Sequence, residues 1–517
     1  MKRSYLAGGV LALALLLPGV QPGAGAIDFK ARGLWQLGVG VNVNSLAEKQ
    51  GNTHLNNPIS NDKLKARQRV RLWLDAVASE NLSGALNFEI GHIRWGQAST
   101  GGALGADGNI IKLRQAYIDW QMPDTSIKTR MGIQNLTLPQ AAGESNILAD
   151  KSVAGIVTSW QANENFGLTG MWLRPYNDNY TGKDANYLDN LDLFVLSVPI
   201  QAGPLKMTPW VMFGMQGRNT FKVPNDHGGY NYVFTGYDGG NLVGSLGSVP
   251  FGNVNQPHST SKTYGDLFWG ALPLTLDIDP WRFEFEFDYG YAAPMGRYTV
   301  EEILHGVHYG TQRASSERKG WLVKALAEYK LDWGVPGIFG WYSSGDDGNL
   351  KNGSERLPYL YAQTNFTSML GDATCLYGGI GGNDRSMSFD GTWGLGLRIK
   401  DLSFIEGVQH LIRATWIQGT NDPSMVKYAA YLSRGVSDPC IAWQGVPETL
   451  DYYLTRNDNL LEFNVHTVVN IYENLKMGLE FGYVVNMLDK DTWKRPADTT
   501  FSKTDMWVAD ITFNYSF

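Results

Sequence analysis

From Trp507 to Phe517 the odd positions read Trp, Ala, Ile, Phe, Tyr and Phe, and the even positions after Val508 read Asp, Thr, Asn and Ser. A period of two puts these sets on opposite faces of a β-strand. The same alternation opens the chain after residue 26. Ile27, Phe29, Ala31, Gly33, Trp35, Leu37, Val39 and Val41 are interleaved with Asp28, Lys30, Arg32 and Gln36. Between Trp281 and Tyr289, aromatics at Trp281, Phe283, Phe285, Phe287 and Tyr289 alternate with Arg282, Glu284, Glu286 and Asp288. One such strand would suit a soluble sandwich. A chain-long series points instead to an all-β, transmembrane antiparallel barrel, whose strands of ~10 residues face lipid on one side and water on the other. In lipid every backbone polar group must be paired internally, so the sheet must close.

Applied along the chain, this rule places strands at 27–41, 67–79, 82–94, 110–121, 126–135, 153–162, 165–173, 188–200 and 205–217. It continues with 263–278, 281–290, 320–332, 335–343, 390–401, 408–418, 458–471, 475–486 and 504–517. The links alternate between short, as at Met122–Thr125 or Asp279–Pro280, and long, as at 344–389 and 419–457. Short periplasmic turns and long external loops are the expected barrel pattern, and they put both ends of the barrel segment on the periplasmic side. About eighteen strands result, with sixteen as the alternative. The series shows no internal repeat, linker or second domain.

The first residues change the compartment. Lys2 and Arg3 precede an apolar run from Leu6 to Leu17, and Ala24-Gly25-Ala26 has the small-residue pattern of a leader cleavage site. Residues 1–26 are expected to be a cleaved signal peptide, cut after Ala26, with residues 27–517 forming the barrel. The apolar run is short of the ~20 residues a spanning helix needs. Sixty glycines and 12% aromatic residues suit a barrel with aromatic girdles, since glycine is typically ~7% of a soluble chain. Losing Lys2 and Arg3 would take the net charge from −7 to −9, which argues against a nucleic-acid partner. Cys375 and Cys440 lie in consecutive long loops of an exported chain, so a single structural disulfide between them is expected.

Several short motifs then gain meaning together. Ile27-Asp28-Phe29-Lys30-Ala31-Arg32-Gly33, Arg67-Gln68-Arg69-Val70-Arg71-Leu72, Asn81-Leu82-Ser83-Gly84, Arg114-Gln115-Ala116-Tyr117 and the terminal Phe517 occur in this order. In order and spacing the chain resembles the general bacterial outer-membrane porins, most closely the homotrimeric porins of sulfate-reducing bacteria. The resemblance covers essentially all of residues 27–517. It implies a Gram-negative outer-membrane location, a homotrimer, and passive diffusion of small hydrophilic solutes and ions. It also implies that Phe517 is read by the barrel-assembly machinery, and that the loop after the fifth strand folds inward. Here that loop is Leu136–Ser152, with Glu144 and Asp150 as its acids and Lys151 beside them; the family's Pro-Glu-Phe-Gly-Gly-like segment is not matched.

Alternation assigns the pore chemistry. Arg32, Arg67, Arg69, Arg71, Lys128 and Arg130 should point into the lumen. Arg114 joins them if Leu113 and Tyr117 face lipid, a phase that Ala116 and Ile118 oppose. A lipid-facing charge would cost ~2–4 kcal/mol at the midplane, which favours the lumen. Opposed to carboxylates, these groups would make a charged constriction; Asp75 and Glu89 are the acids that could instead neutralise them. Later strands add Glu284, Glu286, Asp288, Glu328, Glu462, Glu480 and Asp510, together with Arg282, Lys324, Lys330, Arg398, Arg413 and Lys476. The mixture predicts a mild anion preference.

Three other readings compete. A barrel enzyme would need a nucleophile and base, yet neither Gly-x-Ser-x-Gly nor His-Glu-x-x-His occurs. His305 with His308, and Asp346-Asp347-Gly348-Asn349, read as ordinary loop residues rather than metal ligands. No cofactor is called for. A plugged transporter would need a sizeable domain ahead of the first strand, whereas the strand pattern starts at Ile27. A substrate-specific channel for a small anion, organic acid or sugar would line its lumen with aromatics, and those that can be phased here face mostly outward.

Overall fold

The computed structural model describes residues 27–43, 47–49, 64–106, 111–143, 147–177, 188–218, 220, 222–224, 230–232, 262–295, 297–304, 307–362, 366–371, 388–429, 453–494, 501–503 and 505–517. Eighteen antiparallel spans form one sheet closed on itself. They are β1 Asp28–Val43, β2 Lys65–Ser79, β3 Leu82–Arg94, β4 Ile111–Gln121, β5 Ile127–Leu136 and β6 Lys151–Asn163. Next come β7 Phe166–Tyr176, β8 Leu191–Ser197 with Ile200–Ala202, β9 Leu205–Met207 with Trp210–Gly217, β10 Tyr264–Ile278, β11 Trp281–Ala292 and β12 Arg318–Tyr329. The last are β13 Val335–Ser343, β14 Thr392–Ile405, β15 Val408–Gly419, β16 Asn459–Tyr472, β17 Leu475–Met487 and β18 Met506–Ser516. Closure is direct: β1 pairs with β2 on one edge and with β18 on the other, from Leu34↔Ser516 to Val43↔Trp507. With no free edge in this sheet, its ladder donors and acceptors have partners, as hydrocarbon demands.

The expected strands are all present. Two of them are broken, each at a proline. Pro199 interrupts β8 and Pro209 interrupts β9, because proline brings no N–H to the ladder. The gap is bridged by Val198 N–H donating to the Pro209 carbonyl at 2.9 Å. The long loop after β11 also holds a hairpin of Arg297–Leu304 with Val307–Ser315. Period-two reading does not single it out, since the register shifts beside the Glu301-Glu302 pair and the alternation is lost there.

Along β11 the faces are as the sequence implies: Phe285 is 38% exposed and Glu286 is 2% exposed. The barrel interior departs from simple alternation on β8 to β10 and on β13. Leu191, Leu193, Val195, Trp210, Met212, Leu267 and Trp269 form a buried apolar cluster with loop residues Leu138, Ile147, Leu148 and Leu360. Phe339 and Trp341 of β13 stack on Phe366 of another loop. These strands are apolar on both faces because loops, not water, cover their inner side. Among the described strand residues the aromatics are mostly outward, and the inward Trp210, Trp269, Phe339 and Trp341 are roofed over.

The C-terminus docks on the first strand. Gly33 N–H donates to the Phe517 carbonyl at 2.7 Å, and Phe517 N–H donates to Gly33 O at 3.0 Å. The Phe517 ring lies directly over Gly33, in the space a Cβ would take. Gly33→Leu is therefore expected to push the ring off the wall and lower the yield of folded barrel. Heat-modifiable gel mobility of the refolded variant against Gly33→Ala and the parent checks this; equal folded fractions for all three would contradict it.

Candidate functional site

Three arginines converge on one carboxylate in the lumen wall. Arg69 and Arg71 sit on alternate positions of β2, Glu89 on β3 and Arg114 on β4. Glu89 Oε2 lies 2.9 Å from Arg114 Nη1, 3.1 Å from Arg71 Nε and 3.9 Å from Arg69 Nη1. Arg69 Nε also donates to Gln36 Oε1 of β1 at 2.5 Å. Three guanidinium groups cannot be neutralised by one acid, so the cluster carries a net positive charge before Asp150 is counted.

A β-bulge resolves the phase of Arg114. Phe88 pairs with Leu113 while Asn87 pairs with Gln115, so Arg114 is the extra residue. Before it, Ile111 and Leu113 face outward; after it, Ile118 does. Leu113 faces lipid as the one phase requires and Ile118 as the opposing phase requires, on either side of a one-residue shift, while the outward Tyr117 of the first phase is not found. Tyr117 consequently turns inward, and the Arg130 guanidinium lies 4.0 Å from its ring centre.

The other predicted lumen charges are spread out. Arg130 makes a bidentate pair with Asp119, at 2.6 and 2.7 Å. Arg32 is 3.8 Å from Asp75 and lies over the Trp73 ring. Lys128 is exposed and opposite Gln121, towards the short-turn end. Arg67 is buried one step above Arg69 and acts electrostatically on Asp510 of β18. Asp150 accepts from Asn135 Nδ2 at 2.6 Å and is close enough to act electrostatically on Arg71. Glu144, Cys375, Cys440, His305 and the Ala26 cleavage position lie outside the described residues.

Two loops enter the lumen, and the acids of the far wall hold them. Between β5 and β6, Ala141 N–H donates to Glu286 at 2.6 Å and Ala142 N–H to Glu284 at 2.7 Å, both on β11. Trp210 Nε1 donates to the Pro139 carbonyl at 2.9 Å. The loop thus leaves β5 and reaches a wall six strands away. After β13, Ser368, Met369 and Leu370 present successive N–H groups to Glu462 of β16 at 2.8, 2.7 and 3.1 Å. The same loop meets β10, where Trp269 Nε1 donates to the Pro358 carbonyl at 2.8 Å. The two loops join through Tyr361 N–H to the Ile147 carbonyl and Ala149 N–H to the Tyr361 carbonyl. No sequence signal marks Glu462 or Glu286 as loop anchors, since their partners are backbone amides some 90 to 145 residues away.

Among the described residues, several lumen acids are paired with bases. Glu284 also takes Arg282 at 2.6 Å, Glu286 takes the buried Lys324 at 3.0 Å, and Glu328 takes Arg398 and Lys400 at 2.7 and 2.8 Å. Asp150, where the first loop meets β6, is close enough to act on Arg71 of the positive cluster.

The Asp346-Asp347-Gly348-Asn349 segment is a capped turn. Asp347 Oδ1 accepts from Asn349 N–H at 2.8 Å, and Asp346 accepts from Ser354 Oγ and Tyr453 Oη at 2.6 and 2.7 Å. Gly348 adopts φ +89°, which glycine tolerates freely. Nearby, Glu355 is pushed up to about 7, chiefly by burial, with the Asp347 and Asp346 charges adding to it. The folded loop therefore holds this proton more tightly than the unfolded chain. Stability should fall as pH rises from the ordinary glutamate range to about 7, then level off. Glu355→Gln is expected to raise the unfolding temperature at pH 8 and leave it unchanged at pH 4. Thermal melts at both values check this; an equal shift at both would contradict it.

No protein-family model matches the chain, and no curated protein matches it. Among solved structures the chain is similar to OccAB2 of Acinetobacter baumannii, with TM-score 0.49 and 11% identity over 95% of this chain and 98% of that one. It is similar to the outer membrane protein opdK from Pseudomonas aeruginosa, with TM-score 0.48 and 8% identity over 94% and 99%. A BenF-like porin from Pseudomonas fluorescens Pf-5 gives TM-score 0.46 and 8% identity over 95% and 98%.

Proposed function

We propose that the barrel is an outer-membrane channel that passes small hydrophilic solutes passively, with a preference for anions set by Arg69, Arg71 and Arg114. The observation that carries this reading is their convergence on the single carboxylate of Glu89. A patch of excess positive charge on a low-dielectric wall raises the local concentration of anions and disfavours cations. Two loops latched into the lumen favour a selective pore for small anions such as organic acids over a wide sieve, because they leave less open cross-section. Among the described acids, Glu328 is balanced by Arg398 and Lys400 and Glu286 by Lys324, which weakens their opposition to this field. The leader of residues 1–26, insertion guided by Phe517 and assembly as a trimer belong to the same proposal and rest on the sequence motifs. Proteoliposome swelling tests the solute class: a small monocarboxylate should enter several-fold faster than a neutral sugar of equal size. Equal rates would leave only unselective diffusion.

A further inference from the structure

On the outer wall, Leu196 of β8, Val211 of β9, Gly270 of β10 and Tyr289 of β11 stand level with one another across four strands. Glycine brings no side chain, so the row is dented at its middle. The dent continues one row towards the short turns, past Pro209, Leu272 and Phe287, as an apolar groove of about 400 Å³. One row the other way, the exposed Phe194, Phe213 and Phe268 stand level as an aromatic ridge. The groove is therefore walled on the external side and runs on towards the periplasmic side, where the short turns lie.

On that periplasmic side the wall carries a seam. Val198 N–H donates to the Pro209 carbonyl at 2.9 Å, Thr208 N–H to the Pro273 carbonyl at 3.2 Å, and Gly167 N–H to the Pro199 carbonyl at 3.0 Å. In an antiparallel sheet the two residues of such a pair exchange two bonds. Proline has no N–H with which to return the second. The ladders β7–β8, β8–β9 and β9–β10 thus each give up one bond at nearly the same height. Hydrocarbon offers no donor to replace them. Just above the seam, the lumen side is closed as well, with Trp210 and Met212 buried beneath the first loop. Cohesion here depends on packing, and Val198 and Pro209 belong both to the seam and to the groove lining.

The size and chemistry of the groove choose its occupant. About 400 Å³ lies at the small end of the ~300–1,000 Å³ of single-ligand pockets. A subunit contact covers ~800 Å² on each partner, which calls for a far broader surface. No charged residue lines the groove, so it recognises hydrocarbon rather than a headgroup. We propose that it holds one acyl chain of a phospholipid from the periplasmic leaflet, which packs the proline seam and stays with the barrel on extraction. This inference rests on the outer-membrane reading of the wall, but not on ion selectivity.

Gly270→Leu fills the dent from the lipid side. A Cβ there meets the Phe268 ring, the Trp210 carbonyl and Val211 at 3.8 Å, which is ordinary contact. Gly84→Leu on β3 is the matched control, its added Cβ lying 3.7 Å from the Tyr117 carbonyl. Native mass spectrometry of barrels extracted from membranes in mild detergent reads the bound lipid. The expected result is a single phospholipid on the parent and on Gly84→Leu, lost from Gly270→Leu, with the same conductance in all three. Stripping the lipid should lower the melting temperature of the parent, and added phosphatidylethanolamine should restore it there but leave Gly270→Leu unmoved. A parent without bound lipid, equal lipid on all three proteins, or lipopolysaccharide in place of phospholipid would overturn the proposal. So would a parent that melts alike with and without its lipid. An oligomer that Gly270→Leu alone dissociates would also overturn it, by giving the groove to a second copy. Barrels that keep the lipid yet conduct nothing would defeat the channel reading and leave the lipid site standing.

Discussion

Replacing Arg69, Arg71 and Arg114 together by glutamine is expected to reverse the ion preference of the pore. All three guanidinium groups act on Glu89, so their removal converts a net positive cluster into an uncompensated carboxylate with Asp150 nearby. One unit charge ~8 Å from a passing ion, at an effective dielectric of ~40, shifts its energy by roughly 1 kcal/mol, about a fivefold change in relative permeability. Two or more such steps carry the ratio from above one to below it. Glu89→Gln should move it the other way, strengthening anion preference. Reversal potentials in a salt gradient read both effects. A triple variant still as anion-selective as the parent would place the selecting charge elsewhere.

The second large effect is expected at Glu462. Its carboxylate accepts three successive loop amides and Asn464 Nδ2 while fully buried. Hydrogen bonds to a charged acceptor are each worth ~1.5–3 kcal/mol, and losing a shared acceptor strands every donor at once. Glu462→Leu should therefore cost roughly 3–5 kcal/mol of loop docking. The residues around Met369 should then leave the wall and conductance should rise. Single-channel recording shows the rise, and limited proteolysis near Met369 shows the release. Unchanged conductance with an uncut loop would mean that the apolar packing of Phe366 on Phe339 and Trp341 holds the loop alone.

The barrel was readable from sequence because a strand between lipid and water obeys a period of two, and few other folds sustain that period for so long. Arg114 shows where the rule stops. A single bulge residue lets Leu113 and Ile118 both face lipid, which strict alternation forbids. Trp210 and Trp269 show a second limit: a strand roofed by a loop is apolar on both faces, and nothing local announces the roof. The loops themselves were hidden for the same reason. Their latches join backbone amides, identical in every residue, to acids that in sequence look like lumen charges. The arginines of β2 were legible as inward, but their convergence on Glu89 depends on registers between three strands.

The most direct test is the reversal potential of the unmodified protein, inserted in a planar bilayer across a potassium chloride gradient. An open, passive conductance that reverses toward the chloride equilibrium potential is the predicted result. Reversal toward the potassium potential, or the absence of any conductance from folded barrels, would contradict the account.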